Sequence, residues 1–94
     1  MNIKQLAELL EIPYDKEPLL ELKGLMPAND PKAAYVSLGF SIAKEKRPNL
    51  LKEAIWILDE PCDDLPYVLV FLQHLKPFFW CNVLYHLKNW VLFV

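Results

Sequence analysis

Three cations, Lys44, Lys46 and Arg47, stand beside Ser41 and Asn49 shortly after Phe40, and no other stretch of the chain has residue types better suited to a ligand. Ammonium and guanidinium groups pair with phosphate or diphosphate, and a short helix starting near Asn49 would add main-chain N–H donors. The same residues also fit a solvated, charged face that holds nothing. The chain has two glycines, neither in a GxGxxG or Walker pattern, so it has no glycine-rich phosphate loop.

Cys62, His74, Cys81 and His86 are the residue types of a zinc site, but no two of them stand at the close spacing of C-x2-C or H-x3-H pairs. Cys81 reads more simply as a small core residue, and His74 and His86 as polar edges of buried elements. A Cys/His nucleophile pair drawn from the same residues lacks an orienting group and an oxyanion donor. Asp59, Glu60, Asp63 and Asp64 carry Pro61 and Cys62 where a calcium loop needs alternating ligands and a turn glycine. That run reads as a solvated loop. With no nucleophile, base and stabiliser converging, the expectation is a protein that is not an enzyme and has no cofactor and no metal.

Aromatic residues crowd the last third: Phe78, Phe79, Trp80, Tyr85, Trp90 and Phe93. Such a stripe usually marks core, but here it surrounds most of one helix. A helix apolar nearly all round must be buried by its own domain or by a partner. The closing run Trp90-Val91-Leu92-Phe93-Val94 is therefore expected to pack on the domain, on a second copy or on a further domain. Phe79, Trp80, Tyr85, Trp90 and Phe93 are the candidate interface, since large aromatics dominate interface hot spots.

The elements that must position these groups follow from the rest of the chain. At 94 residues, 54% hydrophobic, the sequence reads as one small domain, 1–94, with enough apolar material for a core. Net charge is −2, which gives no basic field for nucleic acid. All twelve acidic residues lie at or before Asp64, and the stretch after it carries only Lys76 and Lys88 as cations. A membrane span needs about 20 predominantly apolar residues. Gln73, His74, Lys76 and Pro77 interrupt the apolar run midway, so membrane contact is not expected. The N-terminus has no basic region followed by an apolar one, so no export signal is read. Cys62 and Cys81 are accordingly expected as free thiols in a reducing, cytoplasmic compartment.

Asn2 can cap a first helix, with Gln5 completing a capping box, and Ile3, Leu6, Ala7 and Leu10 form its apolar stripe. Pro13 should stop that helix near Glu11. Leu20–Lys23 alternates as a half-wet strand, closed by Gly24. Pro27–Pro31 is turn chemistry. Tyr35–Phe40 reads as a second strand with Val36, Leu38 and Phe40 on one side. Pro48–Glu53 is a short helix, and Ala54–Leu58 a buried strand. The apolar run Tyr67–Leu72 fits a strand buried on both faces, as at the centre of a parallel sheet. Pro77 then suits a first helical position. Periodicity alone leaves strand against helix open for 54–58 and 67–72. The fold class expected is α/β: a small single domain with a short mixed sheet of about four strands, two longer helices and one short helix, and at least one parallel pair joined through the 48–53 helix.

This order resembles the small N-terminal domain of the lipid A pathway UDP-acylglucosamine N-acyltransferases, and the UDP-sugar-binding domain of the Mur ligases is similar. The residues that carry the resemblance are the helix Ile3–Leu10, the strand and turn Leu20–Leu25, the strand Tyr35–Leu38, the segment Leu51–Leu58, and Tyr67–Leu72 leading into Lys76-Pro77-Phe78. The acyltransferases hold uridine with an F-x-x-N-x-x-Y set after the second strand, and the matching positions here are Leu38, Ser41 and Lys44. The catalytic domains of both families lie outside the part that carries the resemblance, so what it implies is binding. The expected function is a non-catalytic accessory domain that binds a UDP-sugar-like ligand through Phe40, Ser41, Lys44 and Arg47. The rival expectation is a protein–protein interaction or oligomerisation module built on the aromatic C-terminal helix and tail.

Overall fold

A computed structural model describes residues 1–14, 20–72 and 75–92, with the backbone alone for 89–92. Along the chain come α1 (Ile3–Leu9), β1 (Gly24–Leu25), β2 (Tyr35–Leu38), a 3-10 helix (Lys44–Asn49), β3 (Ile55–Leu58), β4 (Val68–Val70) and α2 (Pro77–Leu92). The four strands form one sheet in the order β1-β2-β3-β4, and each neighbouring pair is parallel. The expected small α/β domain with about four strands is what the chain forms. Its expected mixed character comes down to an isolated antiparallel bridge between Asn2 and Glu21.

That bridge explains why no strand forms at Leu20–Lys23. The segment is extended, but its main chain pairs with the N-terminus: Ile3 donates to the Leu20 carbonyl at 2.9 Å and Leu22 to the Met1 carbonyl at 2.8 Å. The sheet proper begins only at Gly24. α1 starts as its sequence dictates, with the Gln5 main-chain N–H donating to Asn2 Oδ1 and the Asn2 N–H donating to Gln5 Oε1, each at 2.9 Å. It ends in a left-handed residue, Glu11 at φ 56°, with Ile12 donating to the Ala7 carbonyl and Glu11 to the Glu8 carbonyl. This paired closure satisfies carbonyls that a helix end leaves open.

Strand order decides what covers each face. The order never reverses, so crossovers of one hand all fall on one side of the sheet. The residues on that side come from the three connections and include Ala28, Ile42, Leu50, Cys62 and Leu65, packed around Trp56 and Leu58. The opposite face, with Val36, Ile55, Ile57 and Leu69, takes α1 through Ile3, Leu6 and Ala7, and α2 through Trp80, Val83 and Leu87. The two buried strand segments left open by periodicity are both strands. They are not equally buried: all four β3 residues are buried, whereas Val68 and Val70 are half-exposed. The longest apolar run thus lies at an edge, and β3 is the strand buried on both faces.

β2 stops two residues short of Phe40 because of Gly39. Its N–H donates to the Ile57 carbonyl at 2.9 Å, and a Cβ there would collide with Leu58 Cδ2 and stand 3.3 Å from Trp56 Cε3. The connection that follows holds the short helix, but at Lys44–Asn49 rather than Pro48–Glu53. Pro48 lies inside its last turn, and Leu51 is held by Trp56, whose indole N–H donates to the Leu51 carbonyl at 2.9 Å. Asn49 therefore ends a helix instead of starting one, and no helix-start N–H donors lie there. No helix among the described residues is long and apolar enough to cross a membrane.

Candidate functional site

The carboxyl ends of the parallel strands bring the candidate ligand residues together. Phe40 and Ser41 follow β2, Asp59 and Glu60 follow β3, and the 3-10 helix carries Lys44 and Arg47 to the same edge. Arg47 is not a surface cation. Its side chain is 4% exposed; Nη1 donates to Asp59 Oδ1 at 2.6 Å and Nε to the Ile42 carbonyl at 3.1 Å. Nη2 lies 3.5 Å from the Phe40 carbonyl, at the limit of a hydrogen bond. A guanidinium so engaged organises the loop and turns its donors inward. Lys44 is exposed and pairs with Glu60, Nζ to Oε2 at 2.9 Å. The hydrogen bond from Arg47 is the main reason the Asp59 carboxyl lies below its ordinary value, and the charges of Arg47 and Lys44 add to it. Lys44 and Arg47 therefore each already face a carboxylate, whereas Lys46 is exposed. Ser41 is exposed, and Phe40 is half-buried.

The Phe40 ring is engaged as well. It meets Trp80 edge-on, with centroids 5.3 Å apart and planes at 85°. Phe71 lies 4.9 Å from Trp80 and 6.0 Å from Phe79, and Lys76 Nζ sits 5.5 Å from the Phe79 centroid. These aromatics weld the end of β4 and the connection after β2 to the start of α2. Edge-to-face geometry of this kind stabilises by about 0.5–1.5 kcal/mol beyond burial.

Of the candidate interface residues, Trp80 is core and Phe79 half-buried. Tyr85 is 64% exposed. The Trp90 side chain and Phe93 lie outside the described residues. Sequence reading missed Phe78, which is 90% exposed. Spacing could have found it. Trp80, Val83 and Leu87 recur at i, i+3 and i+7 on the inward side, so Phe78, Cys81, Asn82 and Tyr85 must face outward. Leu72 and Leu75, just before the helix, add exposed apolar surface.

Cys62 and Cys81 are free thiols, the first half-buried and the second exposed. Among the described residues no group of three or more His, Cys, Asp or Glu side chains is placed to hold a metal ion. His74 lies outside those residues. No protein family, curated protein or solved structure matches this chain.

Proposed function

We propose that this domain works by binding rather than by catalysis, and that it assembles with a second copy through the outward stripe of α2. The observation that carries this reading is the exposure of Phe78 and Tyr85, at 90% and 64%, on one side of a helix whose other side is core. Isolated exposed apolar residues need no explanation, but two large rings two turns apart on one face do. The stripe is self-complementary. Phe78 and Tyr85 are equidistant from the midpoint between Cys81 and Asn82, so an antiparallel pair about a two-fold axis sets each Phe78 against the partner copy's Tyr85. Lys88 then falls near the partner copy's Lys76, whose charge is answered by Glu11 at 3.6 Å. A reducing compartment such as the cytoplasm keeps Cys81, at the centre of the stripe, as a thiol. Sedimentation across a concentration series tests the pairing. A dimer that Phe78→Glu with Tyr85→Glu converts to monomer, and that oxidation cross-links through Cys81, agrees with it. A monomer at millimolar protein overturns it.

A second reading, binding of a UDP-sugar-like ligand, is favoured by one observation: Phe40, Ser41 and Lys44 gather at the carboxyl edge of a parallel sheet, where open α/β sheets take ligands. Against it stand the strand order, which has no reversal to open a crevice, and the carboxylates already paired with Lys44 and Arg47. Titration with UDP-N-acetylglucosamine, followed by amide shifts, decides it. Saturable shifts at Phe40–Lys44 that vanish in Lys44→Glu support the ligand, and none at millimolar concentration removes it.

A further inference from the structure

We propose that β4 accepts an extended peptide of alternating cationic and aliphatic residues as a fifth strand. The argument begins with ladder parity. Val68, Leu69 and Val70 lie opposite Trp56, Ile57 and Leu58. Trp56 donates to the Tyr67 carbonyl at 2.9 Å and Phe71 to the Leu58 carbonyl at 2.7 Å, so Tyr67, Leu69 and Phe71 turn their main chain toward β3. Val68 and Val70 consequently point their N–H and C=O groups away from the sheet. Among the described residues, no main-chain hydrogen bond from outside the sheet reaches them.

Natural edge strands are usually blunted by proline, charge or a bulge. The run Val68-Leu69-Val70 has no proline and no charge, and its register with β3 is unbroken. What it offers is a row of main-chain groups that an added strand can satisfy.

The grooves beside this edge define the occupant. Successive side chains of an added strand go to opposite faces. On one face a cavity of about 310 Å³ lies between Leu65, Val68, Val70 and Asp63. Asp63 in its lining and the adjacent Asp64 are exposed, and among the described residues neither has an ion-pair partner. On the other face a cavity of about 200 Å³ is lined by Leu10, Ile12, Val70, Phe71 and Leu75, with Glu11 and Lys76 at its rim. An occupant that satisfies both carries lysine or arginine toward the acidic side and aliphatic groups toward the apolar side. A second copy of β4 does not meet this requirement, because the chain has no lysine or arginine between Leu65 and Leu75. This edge borders the α2 stripe at Leu75 and Lys76 but does not include Phe78 or Tyr85, so substitutions at those two rings tell the sites apart.

The test titrates the full chain with a capped octapeptide in which lysine and valine alternate, and follows amide shifts. The expected result is saturable shifts centred on Val68 and Val70. Affinity should fall about tenfold or more when alternate peptide nitrogens along one edge are methylated, as loss of main-chain hydrogen bonds requires. Asp63→Asn with Asp64→Asn should weaken binding several-fold and flatten its salt dependence. Val70→Pro removes an outward N–H that the β3 ladder does not use, and should abolish the shifts while circular dichroism stays unchanged. Phe78→Glu with Tyr85→Glu should leave peptide binding intact. Equal binding of the methylated peptide, or of a block peptide of the same composition with all its lysines before all its valines, overturns the proposal. So does the absence of binding, or a dimer held through β4 that the peptide cannot displace.

Discussion

Arg47 and Asp59 meet at 2.6 Å across two different crossovers, one buried and one partly open to water. The pair ties the 3-10 helix to the end of β3, and it fixes the connection after β2 through the Ile42 carbonyl. A buried guanidinium left without its carboxylate is costly, whereas a half-exposed carboxylate left without its cation can be hydrated. Asp59→Ala is therefore expected to destabilise more than Arg47→Met does. A double-mutant cycle by urea unfolding should give a coupling of about 1–2 kcal/mol, at the low end for a charged hydrogen bond because Asp59 is open to solvent.

The same pair sets a pH dependence. The hydrogen bond from Arg47, reinforced by the charges of Arg47 and Lys44, holds the Asp59 carboxyl below its ordinary value in the folded protein. A depressed folded pKa means that the unfolded chain takes up the proton first as pH falls. The stabilisation is thus complete above the unfolded value of about 3.9 and disappears as pH drops through the folded one. Urea midpoints measured from pH 6 to pH 2 should fall more steeply for the native sequence than for Asp59→Asn, and the two curves should converge at the acid end.

Gly39 gives a packing prediction. Its missing side chain lets the connection after β2 pass against Leu58 and Trp56, and a Cβ there would collide with Leu58 Cδ2. Leu58 is fully buried and must shift within a packed core. Gly39→Ala should cost about 1–3 kcal/mol, the usual penalty of overpacking. For a domain of this size each kcal/mol lowers the melting temperature by about 4–8 °C, which calorimetry resolves.

Glu11 gives a prediction of opposite sign. It closes α1 in the left-handed region at φ 56°, where a side chain costs energy and glycine does not. Its ion pair with Lys76, at 3.6 Å between two exposed groups, contributes little. Glu11→Gly should raise stability by about 0.5–1 kcal/mol, seen as a higher urea midpoint with an unchanged m value.

Local signals were the legible part of this fold. Asn2 and Gln5 marked the start of α1, Pro77 the start of α2, and the apolar run Ala54–Leu58 a buried segment whose strand character periodicity left open. Non-local pairings were not legible. Nothing around Leu20–Lys23 announces that the N-terminal Met1–Ile3 will occupy its hydrogen bonds, and an apolar run cannot say whether its strand lies at a centre or an edge. The candidate site was legible only as residue types, for a related reason. Arg47 reads as a surface cation until Asp59, twelve residues on, is brought against it by the return of β3. Charge in sequence gives residue type, whereas availability depends on which partner the topology supplies.

Trp80 and Phe78 put that distinction to an experimental test. Both lie in one aromatic run, yet the helix turns them to opposite sides: Trp80 is 8% exposed, against Phe40 and Phe71, and Phe78 stands out in solvent. Trp80→Ala removes a ring from a packed cluster and should cost about 3–5 kcal/mol, a large share of the roughly 5–15 kcal/mol that holds a small domain together. Phe78→Ser removes a ring with few neighbours and should change monomer stability by no more than about 0.5 kcal/mol. Urea unfolding at low protein concentration measures both free of self-association. If Phe78→Ser proved as costly as Trp80→Ala at that dilution, the ring would have to be packed within the monomer, and the outward stripe of α2 would lose its basis.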